Sequence, residues 1–424
     1  MEEKENLLHI RKGAFAIRIA IIGSGNGGMT MGAFLSFLGH EVYIVKTTNE
    51  KKDVFCEMKD YNAITVIGKG VNEIEVGAKE EYDGSFSPTE TVQLPFMCAP
   101  TLTMDLEEIG KADWIIVCYV TNYHRKLFDK MIKYLNKQQI VYICPDYMGS
   151  LILFKMMKSR GIEEIPLLIG GECIPFSCRI EKDVDKYVCA VYSYNVRHGI
   201  SIMKDEKKTE IEIKLALEQF KELFGEYFIR PVIAVALQNP NMLIHTVGVC
   251  MNTSRIEGGN FSLNEPNALG PAIWKVIDSI DKEKCNVLGS LGYNRNSYFE
   301  EMSMRTYKNN KDHTGEEAFR GYANRVVEIK TTSTKGRYIS EDVPIGLGFL
   351  YSILKEMQYK NTATGAIIKL ASCINSDGTP KESSKYFGES RTINNLGFTN
   401  LVLLLKYLRK YDIAEIGRFQ YLKK

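Results

Sequence analysis

Ile17-Arg-Ile-Ala-Ile-Ile-Gly23-Ser24-Gly25-Asn26-Gly27-Gly28 is the stretch that decides how this chain folds. Residues 17–22 are β-branched and apolar apart from Arg18, the pattern of a buried strand, and they run straight into G-x-G-x-x-G at Gly23, Gly25 and Gly28. Residues 29–38 read as a helix stopped by Gly39, and Glu41-Val-Tyr-Ile-Val45 reads as a second strand. The order strand, glycine turn, helix, strand turns a bare glycine pattern into a dinucleotide-binding fingerprint. Gly23 permits the tight turn, Gly25 lets the main chain approach a pyrophosphate, and Gly28 lets helix and strand pack closely. The helix N-terminus adds free N–H groups and the positive end of its dipole. Gly23, Ser24, Gly25, Asn26, Gly27 and Gly28 are therefore expected to hold the cofactor.

Outward from this motif the first half keeps alternating. Ala63-Ile-Thr-Val-Ile67 and Glu73-Ile-Glu-Val76 read as a short hairpin before a polar insertion at 78–95. Residues 105–111 read as a helix leading into the strand Trp114-Ile-Ile-Val-Cys-Tyr-Val120. A helix near 124–136 precedes Ile140-Val-Tyr-Ile-Cys144, and another at 151–158 precedes Ile165-Pro-Leu-Leu-Ile169. Near-continuous apolar strands separated by amphipathic helices indicate a parallel sheet covered on both faces. Residues 187–203 are expected to add strands that finish this domain. After that the periodicity becomes helical, at 208–224, 241–256, 270–289, 316–326, 346–357 and 396–411. The expected fold is α/β: a Rossmann-type doubly wound domain over residues 1–230, then a mainly helical domain over 231–424 that roofs the crevice at the carboxyl ends of the strands.

Bulk properties agree with two globular domains. The chain has 424 residues, 45% hydrophobic and 25% charged, and a net charge of +2 that supplies no basic field for nucleic acid or an anionic membrane. Ten cysteines show no zinc-ligand spacing, and several lie inside apolar strands, which fits free thiols in a reducing compartment. No metal site is expected. The opening Met-Glu-Glu-Lys-Glu has the wrong charge for a signal peptide, and no uncharged apolar run is read as approaching the roughly 18 residues of a membrane span. A cytoplasmic protein is expected, and a homodimer is compatible with the sequence.

The choice of dinucleotide turns on the end of the second strand. NAD-selective sites usually place a carboxylate there for the ribose hydroxyls. Here Val45 is followed by Lys46-Thr47-Thr48-Asn49, with Lys51 and Lys52 close behind and no acid before Glu50. Lys46 and Thr47 suit a 2′-phosphate, so NADP(H) is favoured and NAD(H) is the alternative, the lysines then forming a solvated loop.

Two segments of the second half carry candidate chemistry. In Asn241-Met-Leu-Ile-His245-Thr-Val-Gly-Val-Cys-Met-Asn252, His245 and Asn252 are seven residues apart and share a helical face. Arg337-Tyr-Ile-Ser-Glu341-Asp342-Val-Pro-Ile-Gly346 concentrates an arginine, a tyrosine and two carboxylates before proline and glycine. Arg337 can grip a carboxylate with two parallel N–H bonds, and His245 can pass a proton near neutral pH. Asp342 would fix the imidazole tautomer and raise its pKa. Spacing alone leaves open a packed histidine and a plain ion-pair cluster.

At these residues the chain resembles the opine dehydrogenases, the octopine and nopaline dehydrogenase family, over almost its whole length. Gly23-Ser-Gly-Asn-Gly27, Pro145-Asp-Tyr-Met-Gly149, Glu172-Cys-Ile-Pro175-Phe-Ser-Cys178-Arg179, Asn241-Met-Leu-Ile-His245 with Asn252, and Ile280-Asp281-Lys-Glu283 carry the likeness. Arg337-Tyr-Ile-Ser-Glu341-Asp342-Val-Pro344 is its most specific part, and Gly388-Glu-Ser-Arg391-Thr-Ile-Asn-Asn-Leu-Gly397 closes it. The resemblance implies reductive condensation of an amino acid with a 2-oxo acid, commonly pyruvate, through an imine to an N-(1-carboxyalkyl) amino acid. It also implies His245 as general acid/base, Asp342 as its dyad partner and Arg337 as the oxo-acid clamp. Asn252 and His124 are further substrate-site candidates, although packing suits His124 as well. Two departures fall near the expected pocket. Thr246 stands where the family often has proline, and Val120-Thr-Asn-Tyr-His124 replaces a proline-led segment. A ketopantoate-type dehydrogenase is the rival enzyme, but such enzymes use a lysine on the connecting helix and residues 239–256 contain none. A dinucleotide sensor without catalysis is the rival from another class, and it would need none of His245, Arg337 and Asp342.

Overall fold

The computed structural model describes residues 16–48, 54–57, 64–68, 92–94, 100–183, 186–265, 267–307, 314–326, 330–375 and 390–416. The described strands are β1 (Arg18–Ile22), β2 (Glu41–Val45), β3 (Thr65–Gly68), β4 (Val92–Leu94), β5 (Thr101–Thr103), β6 (Trp114–Val117), β7 (Ile140–Ile143), β8 (Leu167–Gly171), β9 (Phe176–Asp183), β10 (Lys186–Tyr194), β11 (Arg197–Met203) and β12 (Glu226–Ile229). Eight of them form one sheet in the order β12-β11-β8-β7-β6-β1-β2-β5. All neighbours are parallel except β11 against β8. Chain direction reverses its sideways march at β1, which pairs with β2 on one edge (Ile21 opposite Ile44) and with β6 on the other (Ile21 opposite Ile116). That switch point leaves a crevice at the carboxyl ends of these strands.

The sequence explains this layering. Ile19, Ile21, Ile44, Trp114, Ile116 and Tyr142 point into one core, whereas Ala20, Ile22, Ile115, Val117, Val141 and Ile143 point into the other. Strands without a polar face can be satisfied only with cover on both sides. The helix Asn26–Phe37 packs on the first face with the helix Glu210–Phe224; the helices His124–Met131 and Gly149–Ser159 fill the second.

A second sheet, β4-β3-β10-β9, lies against the first helix, where the Asn26 amide oxygen accepts from the Ile180 N–H at 3.0 Å. The expected partner of the 63–67 strand, Glu73-Ile-Glu-Val76, falls outside the described residues. The described neighbours of β3 are β4, from the supposed polar insertion, and β10, some 120 residues away in sequence. Residues 187–203 supply strands as expected, β10 to the second sheet and β11 to the first.

Beyond β12 the described chain is helical. Val232–Met251 departs from the expectation of no span-length apolar run, since it is long and apolar enough to cross a membrane by length and composition. It is split at Pro240 into two helices, and 83% of the apolar window is buried inside the protein. In the helix Asn241–Met251 every residue from Met242 to Cys250 except His245 is buried. Each Leu, Ile, Val or Met so enclosed contributes roughly 1.5–3 kcal/mol. The helices Pro271–Ser290, Arg337–Ser340 and Ala363–Asn375 pack against it.

Candidate active site

The glycine turn has the geometry that a pyrophosphate requires. A Cβ on Gly28 would lie 1.7 Å from the Gly23 carbonyl oxygen, so only glycine lets the helix start this close to β1, while at Gly25 a Cβ would meet nothing within 4 Å. The helix opens without a side-chain cap and without acidic residues in its first turn. Its first main-chain hydrogen bond runs from Met29 N–H to Gly25 C=O, which leaves the preceding N–H groups directed at the open side. These residues fit a dinucleotide. Asn26 contributes through this main chain, because its side chain is committed to β9.

The end of β2 differs from expectation. Lys46 is buried, with its ammonium 5.7 Å from the Phe55 ring centroid and its N–H donating to Thr103 C=O, so it is neither a solvated cation nor an open arm past the strand. Thr47 donates its hydroxyl to the Tyr119 hydroxyl at 3.1 Å. Glu50, Lys51 and Lys52 fall outside the described residues.

The roof of the crevice holds the acid–base groups. His245 Nδ1 lies 2.8 Å from Asp342 Oδ2, joining two helices 97 positions apart in sequence. The other carboxylate oxygen, Oδ1, accepts from the Tyr147 hydroxyl at 3.1 Å. A carboxylate can only accept, so Nδ1 carries the proton and Nε2 is left as the basic nitrogen. Tyr338 stacks on the imidazole at 3.8 Å and 22°, and its hydroxyl accepts from Arg179 at 3.0 Å. The His245 side chain is 16% exposed, so the ring reaches solvent by one edge.

Electrostatically, burial pushes the imidazole below its ordinary 6.5. Asp342 pulls it up through the hydrogen bond and its charge, and the Arg337 and Arg179 charges push it down again. The expectation that Asp342 would raise the pKa describes that pair correctly but not the balance, which burial decides. His245 is therefore neutral at neutral pH.

Asp342 is placed by its neighbourhood. The turn Val343–Leu347 is a π-helical segment, and Gly346 lets it press on the His245 helix: a Cβ there would lie 2.6 Å from Met242 Cβ. Glu341, beside Asp342, is buried and accepts from the Thr121 N–H and hydroxyl at 2.9 and 2.7 Å. Burial raises its pKa. Thr121 belongs to the segment where this chain departs from the family's proline, and its hydroxyl and N–H give Glu341 partners across the crevice. Arg391, fully buried, donates to the carbonyls of Tyr147 and Thr121 at 3.1 and 2.9 Å. Tyr147 and Met148 hold left-handed backbone (φ 40° and 66°), so the turn after β7 aims the tyrosine at Asp342 only under such clamping.

Arg337 is half exposed, and among the described residues Glu341 is its one ion-pair partner, 3.4 Å from Nε. Its terminal guanidinium nitrogens carry no partner among the described residues, which suits a bidentate grip on a carboxylate. Asn252 and His124 do not join this group. Asn252 ends the His245 helix and donates its amide to the Gly248 and Ala268 carbonyls, so helix termination takes it off the expected shared face. His124 is fully buried, with Nε2 3.3 Å from the Tyr119 carbonyl and Phe128 against its ring. Burial and the Arg391 charge hold it well below its ordinary pKa. Its contacts are those of packing, and no part of it is exposed to a substrate.

Tyr147, Tyr338, Arg179, Glu341 and Arg391 were not singled out for roles from sequence. All five stand in the motifs that carry the family likeness, which was the available signal.

Comparison with known proteins supports the fold. Residues 229–375 match the family model described as NAD/NADP octopine/nopaline dehydrogenase, alpha-helical domain. An opine dehydrogenase from Arthrobacter sp. (strain 1C) is 22% identical over 390 residues, covering 90% of this chain and 95% of that protein. An octopine dehydrogenase structure with NADH and pyruvate superposes with a TM-score of 0.63 at 16% identity, over 92% of this chain and 98% of the other. A yersinopine dehydrogenase with bound NADP+ gives 0.58 at 10% identity, over 91% and 96%. The helical half of the chain is thus similar to the alpha-helical domain of NAD/NADP octopine/nopaline dehydrogenases, and the fold as a whole is similar to theirs.

Proposed function

We propose that this protein condenses an amino acid with a pyruvate-like 2-oxo acid and reduces the imine to an N-(1-carboxyalkyl) amino acid. The observation that carries the proposal is the Asp342–His245 dyad at 2.8 Å near an arginine whose terminal guanidinium nitrogens have no partner among the described residues, on the roof of a dinucleotide crevice. Neutral Nε2 takes a proton from the substrate ammonium, freeing the amine to attack the carbonyl carbon. The imidazolium so formed is stabilised by Asp342, and it returns the proton to the departing hydroxyl as water leaves. Arg337 holds the oxo-acid carboxylate and fixes the carbon that reacts. When bound at the glycine turn, the nicotinamide cofactor supplies hydride to that carbon. The resulting secondary amine carries two carboxylates.

NADP(H) is the favoured cofactor because Lys46-Thr47-Thr48 offers no carboxylate to bind the ribose diol and none to repel a 2′-phosphate. The wild-type protein should bind NADPH more tightly than NADH when each is titrated in turn; equal or reversed affinities would overturn the assignment.

The test of function is oxidation of NADPH with pyruvate against a panel of amino acids, with the product identified by mass. The expected product has the mass of both acids, less water, plus two hydrogens. Formation of a 2-hydroxy acid would make the protein a simple oxo-acid reductase. Tight cofactor binding with no turnover on the panel would make it a sensor.

A further inference from the structure

Condensing two acids brings two carboxylates to one imidazole, and Arg337 answers only one of them. This inference rests on the proposed condensation. The second cation bearing on His245 is Arg179. It stands on β9, next to Ile180, whose N–H is bound by Asn26 of the glycine turn, so it belongs to the nucleotide side of the crevice. Its hydrogen-bond partner is the Tyr338 hydroxyl at 3.0 Å. Tyr338 follows Arg337 in sequence and lies flat on the imidazole. One phenol thus spaces a guanidinium from the proton-transfer group. No carboxylate pairs with Arg179 among the described residues, and the group is partly buried. A guanidinium held against a neutral hydroxyl keeps most of its donors for an anion, and bidentate carboxylate is the anion that its shape fits.

We propose that Arg179 binds the α-carboxylate of the amino-acid substrate, with Tyr338 as the residue that positions it. Arg337 and Arg179 come from the two sides of the crevice, so the two substrates are gripped from opposite walls with His245 between their reacting groups. Amino-acid recognition is then built from the sheet side and oxo-acid recognition from the helical side.

The test is steady-state kinetics of the full-length Arg179→Met protein with each substrate varied in turn. KM for the amino acid should rise roughly 10- to 100-fold, the loss expected for one charge-assisted pair, while KM for the oxo acid stays near wild type. The amine that lacks the α-carboxylate should inhibit Arg179→Met and wild type equally, because it never used the arginine. Tyr338→Phe should move the same constant in the same direction by less. Arg179→Lys, which keeps the charge and loses the fork, should fall between and covers the case in which Arg179→Met fails to fold. A rise confined to the oxo-acid KM, a loss confined to NADPH affinity, or an unchanged amino-acid KM would overturn the assignment. Any of these with the condensed product still forming leaves the proposed function standing; absence of that product from the wild-type protein overturns both.

Discussion

In the proposed condensation His245 is the base because its surroundings keep it neutral, and this makes its expected pH behaviour specific. With burial holding the pKa under 6.5, the rate of condensation should hold down to that pH and fall only below it, as Nε2 becomes occupied by a proton. Asp342→Asn removes the charge that pulls the pKa up, so the acid limb of the kcat/KM profile should move to lower pH while turnover drops. An acid limb that stays in place would separate Asp342 from His245 titration. His245→Ala should leave NADPH binding nearly intact and lower turnover roughly 10²- to 10⁴-fold; near-normal turnover would exclude the imidazole. Arg337→Lys should chiefly raise KM for the oxo acid, because an ammonium cannot reproduce two parallel N–H bonds. These three residues were legible in sequence because each sits in a compact motif whose chemistry is narrow. Asn252 was misplaced because periodicity counts residues and does not show that the helix stops at Met251. Lys46 was misread because a lysine after a strand is usually solvated, and nothing local announced Phe55.

At the scale of elements, the strands of the large sheet could be read because buried parallel strands are written as uninterrupted apolar runs. The pairing of β3 with β10 could not, since no local signal ties residues so far apart, and the helices Tyr298–Thr306 and Ala363–Asn375 were not picked out. One glycine, Gly346, tests whether element placement governs chemistry. Gly346→Ala forces the π-helical turn off the His245 helix, where its Cβ would be 2.6 Å from Met242 Cβ and 3.3 Å from Tyr147 Cε1. Overpacking of this kind costs roughly 1–3 kcal/mol, measurable by urea unfolding, and displacement of Asp342 should lower kcat as well. Unchanged stability and kcat would show that the turn has room to spare.

Across the whole molecule, the site exists because the two halves are tied at their polar edges. Thr121 to Glu341, Tyr147 to Asp342, Arg179 to Tyr338 and Arg391 to two sheet-side carbonyls all cross the crevice. Each tie joins residues at least 159 positions apart, which is why resemblance to a family could suggest the site and spacing could not assemble it. Arg391→Met should destabilise the protein by roughly 1–3 kcal/mol for each buried carbonyl left unpaired, seen as a lower urea midpoint. The central claim, that these halves together reduce a carbon–nitrogen bond, is tested most directly with NADPH deuterated at the transferred position, an amino acid and pyruvate. The account predicts one deuterium on the carbon joining the former oxo acid to nitrogen in an N-(1-carboxyalkyl) amino acid. Deuterium recovered only in a 2-hydroxy acid would contradict it.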